Sequence, residues 1–413
     1  MPTFAFFNLP ARGHLNPTLP VVRQLVLGGA TVHYFVSEKY RQLVESVGGR
    51  FNPLPAWKRL GDQNTGNFSA PDDRQIALMP FAMACQATQV VPQLIGALRA
   101  LKPDCLVYNP LNLWPRLAAR IMEIPAIGFR PFHGRRAHRR VAAPFPSESL
   151  ARFADAANRE LGALMSSFGK PLLTLEELVS EVEELTIVFL PKDFQREGEA
   201  FDEHFLFVGP SFIEGEPEPW PFAPDNSRQH LRAYISLGTL RNDDPEFYRA
   251  CFSAFKPVKW QAVMSVGESV DLNSLGRTPA NFLVARSVRQ TAVLPQVDVF
   301  ITHGGLNSVM ESLYFGVPMV VIPSINEQRS TADRVKTLGC GTLLERTAVT
   351  SDSLRQNAHA LLENPATKPR LVRMQQQIRA AGGYRRAAEA IVRYTQAHPF
   401  RETEMGDPQA ERA

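Results

Sequence analysis

Two short segments of the chain set a histidine beside glycine just after an apolar run, an arrangement suited to handling a phosphate or a proton. In the second half, Val297-Asp-Val-Phe-Ile-Thr302 leads into His303-Gly304-Gly305-Leu306-Asn307-Ser308, and Val309, Leu313 and Tyr314 then follow a helical pattern. Glycines let the backbone come close to a ligand, and a helix start offers unpaired N–H groups with a dipole that favours an anion. A phosphate site is one reading. The other is a plain turn in which Asn307 or Ser308 caps the helix. In the first half, Gly13-His14-Leu-Asn-Pro17 separates an apolar run from the first helical stretch. An imidazole placed there has the pKa to take a proton from a hydroxyl near neutrality. A surface or capping histidine is the simpler alternative.

The residues around His303 narrow these readings. Glu311 lies one turn beyond Asn307, and Gly316-Val-Pro-Met-Val-Val-Ile-Pro323 forms a further apolar run shortly before Glu327-Gln328. Together these resemble the donor signature of family 1 glycosyltransferases, which include plant secondary-product enzymes and bacterial macrolide glycosyltransferases. The resemblance spans nearly the whole chain and implies a GT-B fold: two Rossmann-like parallel-sheet α/β domains facing a central cleft. It implies that His303 contacts the diphosphate, that Asn307 and Ser308 meet the phosphate nearer the nucleoside, and that Glu311 binds the ribose hydroxyls. Gly304 and Gly305 form the turn, and Glu327 and Gln328 hold sugar hydroxyls. Ser236-Leu-Gly238-Thr239 matches the turn after the first strand of that domain, which brings Gly238 and Thr239 to the phosphates. Where many relatives read Trp-Val-Pro-Gln, this chain has Ser287-Val288-Arg289-Gln290, so the indole platform for the base is missing. Arg286 or Arg289 could stack on the base or be solvated, and uridine and thymidine both stay open.

The resemblance also makes His14, within G-H-x-x-P, the base for the acceptor hydroxyl. In relatives an aspartate after the strand corresponding to Asp104–Tyr108 orients this histidine; here the residue is Asn109. Asparagine can hold the ring but carries no charge to stabilise an imidazolium. Three explanations follow: an acidic acceptor such as a phenol or enol, another carboxylate entering the site, or impaired catalysis. The last would make the chain a nucleotide-sugar-binding sensor or helper. The leading expectation is an inverting enzyme that moves a hexose from a UDP- or dTDP-linked donor to a phenolic, polyketide or macrolide hydroxyl. An epimerase or hydrolase on the same architecture would not need the G-H-x-x-P segment. No D-x-D pair occurs, so the expected enzyme uses no metal and no cofactor, its nucleotide sugar being a co-substrate.

Alternating strands and helices must position these groups. Phe4–Leu9, a helix from Leu19 stopping at Gly28-Gly29, and Thr31–Val36 read as a βαβ unit. Asp104–Tyr108, a helix from Trp114 to Met122 and the strand Ala126–Phe129 repeat the alternation, which predicts parallel sheets. A long helical region over 148–184 precedes strands at Leu185–Leu190 and Phe205–Val208. In the second half, strands are expected at Ala233–Leu237, Trp260–Val266, Phe282–Ala285, Val297–Thr302 and Met319–Ile322. Domains are accordingly expected at 1–208 and 227–384, with a proline-rich linker at 209–226. A C-terminal helix at 385–400 should pack back on the first domain, ahead of a disordered tail at 401–413.

Acceptor walls in the resembling family come from variable first-domain loops, which nominates Trp57, Phe68, Trp114, Phe129 and Phe132 against the plainer reading of core aromatics. Beside Phe132, five arginines fall among the eleven residues Arg130 to Arg140. They read either as a solvated loop or as attraction for an anionic acceptor or an acidic membrane surface. With 413 residues and 44% hydrophobic content the chain can bury two cores. A net charge of +4 gives no general reason to expect nucleic acid. Four scattered cysteines lack metal or disulfide spacing, and with no leader-like or membrane-spanning run a cytoplasmic protein is expected. Nothing in the residues indicates an oligomeric state.

Overall fold

The computed structural model describes residues 1–54, 73–131, 148–215, 218–222, 230–238, 242–256 and 259–400. The expected tail at 401–413 lies outside them. The chain forms two compact units that divide between Phe212 and Ile213, and it returns to the first unit at Gly382.

The first unit holds a seven-stranded parallel sheet of β1 (Thr3–Phe7), β2 (Thr31–Val36), β3 (Arg50–Pro53), β4 (Cys105–Tyr108), β5 (Ala126–Arg130), β6 (Thr186–Val188) and β7 (Phe205–Phe207), in the order β3-β2-β1-β4-β5-β6-β7. Its central strands are continuous apolar runs because both faces are covered. Ala5, Phe7, Leu106 and Tyr108 face one core, built with the helices Ala87–Leu101 and Leu113–Met122. Phe4, Phe6, Cys105 and Val107 face the other, built with the helix Leu19–Leu27. The last helix, Gly383–Ala397, closes that second core through Ala387, Ala388 and Ile391.

The second unit repeats the plan. Its strands β8 (Leu231–Ser236), β9 (Trp260–Ser265), β10 (Phe282–Ala285), β11 (Val299–Thr302), β12 (Met319–Val321) and β13 (Gly341–Leu343) are all parallel, in the order β10-β9-β8-β11-β12-β13. Ile235, Met264, Ile301 and Val320 share one core with the helices Pro245–Ala254 and Ser351–Glu363.

Two features differ from the sequence reading. The helical region at 148–184 is two helices, Glu148–Ser167 and Leu175–Ser180, parted at Gly169, whose φ of +63° suits glycine. The second starts afresh on a capping box between Thr174 and Glu177. The edge strands β3 and β13 carry no long apolar signal, since an edge strand is short and partly polar.

Ile391 is only 1% exposed against the first unit's core. Ile391→Ala should lower the free energy of unfolding by about 2–4 kcal/mol, measured by urea denaturation.

Candidate functional site

In both sheets the strand order reverses at one place, between β1 and β4 in the first unit and between β8 and β11 in the second. Crossovers leave to opposite sides there, and an open parallel sheet binds its ligands beyond the carboxyl ends at such a point. The histidine segments occupy these positions. His14 follows β1 and Asn109 follows β4; Gly238 follows β8 and His303 follows β11.

In the first unit a one-turn helix, Arg12–Leu15, carries His14 half-buried. Asn109 Nδ2 lies 2.7 Å from His14 Nδ1. The Leu111 N–H donates to Asn109 Oδ1 at 3.1 Å, and Asn109 Nδ2 donates to Asn8 Oδ1 at 3.4 Å. Asn8 is fixed in turn. The Leu9 N–H donates to its Oδ1 at 2.9 Å, while its Nδ2 donates to the His14 carbonyl at 2.8 Å and to the Tyr34 hydroxyl at 2.9 Å. Thr18 Oγ1 bonds the Tyr34 hydroxyl at 2.7 Å and donates to the Leu15 carbonyl at 2.8 Å, securing the far end of the turn. Reversing the Asn109 amide would set its NH2 against the Leu111 N–H and its oxygen against Asn8 Oδ1. An unsatisfied group of this kind costs about 1–3 kcal/mol. The amide nitrogen therefore faces the imidazole. Burial pushes the His14 pKa down to about 4 and the Tyr34 pKa up to about 12.

In the second unit the His303 ring is packed between two glycines. A methyl group on Gly238 would come within 2.5 Å of the ring's Cε1, and one on Gly305 within 2.4 Å of Nε2. Gly304 has φ +83°, and a Cβ there would meet Val321 at 2.6 Å. Burial lowers the His303 pKa to about 4, outweighing a hydrogen bond with the Ser236 backbone, and Nδ1 is buried with no partner among the described residues. The helix Leu306–Phe315 begins at Gly305 with no side-chain cap and no acid in its first turn. An N-terminus without a side-chain cap has the dipole that favours an anion, and Asn307 and Ser308 lie in its first turn. One turn on, Gln290 Nε2 donates to Glu311 Oε2 at 2.6 Å, yet burial still pushes the Glu311 pKa up to about 7.

A sequence profile for the family "UDP-glucoronosyl and UDP-glucosyl transferase" matches residues 225–378. The NDP-glycosyltransferase YjiC of Bacillus subtilis is 34% identical over 387 residues, 94% of this chain and 96% of that protein. The chain belongs to this glycosyltransferase family. The demethyllactenocin mycarosyltransferase of Streptomyces fradiae is 30% identical, covering 95% of this chain and 86% of its own. The solved structure of the calicheamicin glycosyltransferase CalG4 superposes with a TM-score of 0.80 at 27% identity, over 96% of this chain and 99% of that one. The fold is GT-B, and the protein is an enzyme that transfers a glycosyl group from a nucleotide sugar.

Within this glycosyltransferase the residues singled out in the sequence fall into distinct places. His303, Gly304, Gly305, Asn307, Ser308, Glu311, Gln290 and Gly238 gather at the β8/β11 switch or on the helix leaving it. Glu327 is exposed in the first turn of the helix Asn326–Thr337. Gln328 is buried, and its Oε1 accepts from the Ser324 N–H and hydroxyl at 2.8 and 2.9 Å. Ser287 is exposed and Val288 half-buried in the loop after β10. Arg286 donates to the Glu268 carbonyl at 2.9 Å, and Arg289 pairs with Glu218 at 3.1 Å, so each guanidinium is engaged with the protein. Asp104 accepts from the Thr3 N–H at 2.7 Å, at the strand end opposite His14.

Trp114 is not an acceptor wall. Its side chain is fully buried in the first unit's core and donates its indole N–H to the Met83 carbonyl at 2.9 Å. Phe129 is core as well, 1% exposed against Phe189. Trp57, Phe68, Phe132, Thr239 and the arginines from 135 to 140 lie outside the described residues. Arg130 is the last residue of β5, and burial lowers its pKa to about 10. Among the described residues no three His, Cys, Asp or Glu side chains gather as a metal would require, and no single helix is long and apolar enough to cross a membrane.

Sequence reasoning missed Asn8 and Asn242. Asn242 is buried, donates to the Gly238 carbonyl at 2.8 Å and packs where only glycine fits at position 267, since a Cβ there would lie 1.9 Å from its Nδ2. Asn8 directly follows β1, the one signal that could have marked it, whereas Asn242 stands well beyond the end of β8 and carries no such signal.

Gly305→Ala forces a methyl onto His303. We expect the variant to bind UDP and dTDP about 10–100-fold more weakly by calorimetric titration, matching about 1–3 kcal/mol of overpacking. For Glu311 the pKa is raised from 4.5 to about 7, so its ionisation costs folding stability as pH climbs through that window. Glu311→Gln should match the wild-type Tm near pH 4 and exceed it at about pH 8 without nucleotide. A variant less stable than wild type at the higher pH would contradict the desolvated carboxylate.

Proposed function

We propose that this enzyme transfers a hexose, with inversion and without a metal, from a UDP- or dTDP-linked donor to a hydroxyl of a small lipophilic acceptor. The observation that carries the donor side is the uncapped helix N-terminus at Gly305, set beside a neutral His303 held between Gly238 and Gly305. Preorganised N–H donors there would stabilise charge building on the leaving diphosphate, a task that otherwise falls to a cation. Glu311, oriented by Gln290, would accept hydrogen bonds from the ribose hydroxyls. Glu327 and Gln328 would meet the hydroxyls of the sugar.

In the displacement, the acceptor oxygen bonds to the anomeric carbon as the bond to the diphosphate breaks, and that electron pair leaves on phosphate. Attack opposite the leaving group inverts the carbon. A demethyllactenocin mycarosyltransferase and an oleandomycin glycosyltransferase among the relatives support a small natural-product acceptor. The absence of an indole at Ser287 gives no preference between uracil and thymine.

A mass-spectrometric screen of UDP- and dTDP-hexoses against phenolic and macrocyclic acceptors, with and without EDTA, tests this reading. Inverted product should form at the same rate in chelator. His303→Ala should lower kcat by about 10²–10³, the loss that follows removal of one preorganised donor. Donor binding without product from any acceptor would favour a binding protein instead, and a strong loss in EDTA would refute the metal-free step.

A further inference from the structure

We propose that Asn8 and Asn109 hold His14 as the Nε2–H tautomer, so that the imidazole donates to the acceptor oxygen instead of removing its proton, and that the acceptor is an acidic phenol or enol taken as its oxyanion. The inference rests on the transfer reading above and names the acceptor class of that site.

A neutral imidazole has one donor nitrogen and one acceptor nitrogen, and the partner of one fixes the role of the other. Asn109 presents an amide N–H to Nδ1 at 2.7 Å, because its oxygen is committed to the Leu111 N–H and its reversal is opposed by Asn8 Oδ1. Asn8 cannot turn to relieve this, since it accepts from Leu9 and donates to the His14 carbonyl and to Tyr34. Nδ1 is therefore the acceptor and Nε2 carries the proton. A carboxylate at position 109 would set the opposite tautomer by accepting from Nδ1–H. Burial keeps the His14 ring neutral at working pH, and Tyr34, the other titratable group in this set, stays protonated.

Such a ring has no lone pair to offer an alcohol proton. It can stabilise an oxygen that has already lost one. The acceptor gives its proton to solvent on ionising; its oxygen then forms the bond to the anomeric carbon, the carbon–phosphate oxygen bond breaks, and the electron pair departs with the diphosphate. No proton passes to His14. Asn109 is a positioning residue in this scheme, acting through the imidazole.

Long-range 15N–1H spectra of the full-length histidine-labelled protein read the tautomer directly, with His14→Gln assigning the signal. Wild type should show Nδ1 as the unprotonated nitrogen, and Asn109→Asp should exchange the two. A protonated Nδ1 in wild type overturns the proposal. With any nucleotide sugar that supports turnover, the pH dependence of wild-type kcat/KM should follow the ionisation of each phenol in a graded series. In Asn109→Asp that link should vanish, and kcat/KM for an aliphatic alcohol should rise by about 10²–10⁴, the range of general-base assistance. Wild type glycosylating an aliphatic alcohol as fast as an acidic phenol would also overturn it, and should the variant fail to fold, the wild-type series decides alone. Because the spectra need no turnover, a protein that transfers to no acceptor would defeat the proposed function while leaving the tautomer assignment to stand or fall separately.

Discussion

A parallel sheet buried on both faces leaves chemistry no place except beyond its strand ends, and His14, Asn109, Gly238 and His303 all stand there. Strands such as β1 and β11 bury nearly all their side chains. What they contribute is position. The residues that follow them emerge where the strand order reverses, and the glycines and asparagines near those points turn the chain tightly enough to keep a histidine at each. Asn242 beneath Gly238 and Asn8 beneath His14 do the same work on different units: buried amides that hold a loop by its backbone.

Desolvation then sets the chemistry. His14 and His303 are both pushed to about 4, and Glu311 rises to about 7, so these groups tend towards neutrality before a ligand arrives. Neutral rings recognise partners by the direction of their hydrogen bonds more than by charge. At His303 this would suit the diphosphate of the proposed donor, faced by a helix dipole, where an N–H would add direction. For Glu311 it means that ribose hydroxyls would meet a carboxyl whose ionised form the protein itself disfavours, so nucleotide binding and ionisation should be coupled.

Much of this arrangement is legible in the residues themselves. The apolar runs before His303 and His14 mark strands because buried parallel strands need unbroken hydrophobicity, and His-Gly-Gly can only be a tight turn. Helical spacing puts Glu311 one turn beyond Asn307, and only the family resemblance gives it a role at the ribose. Less legible are groups whose role depends on contacts distant in sequence. Asn8 meets Tyr34 across a neighbouring strand, and nothing local distinguishes it from a turn asparagine. Trp114 looks like a pocket wall by type but belongs to the amphipathic face of a helix buried against Met83. The helix break at Gly169 was hidden by helical composition on both sides, and β3 and β13 by the short, partly polar character of edge strands.

The Asn109–His14 pair shows why geometry alone cannot stand in for chemistry at such a site. Asparagine and aspartate differ by an NH2 in place of an oxygen, and either would sit within hydrogen-bonding distance of the ring. The backbone donor of Leu111 breaks the equivalence, because it accepts only one orientation of an amide but is satisfied by either oxygen of a carboxylate. The same substitution therefore reverses the direction of the bond to Nδ1 without moving an atom far. A proton acceptor becomes a proton donor at the far side of the ring, and the burden of deprotonation moves from the enzyme to the acidity of the acceptor.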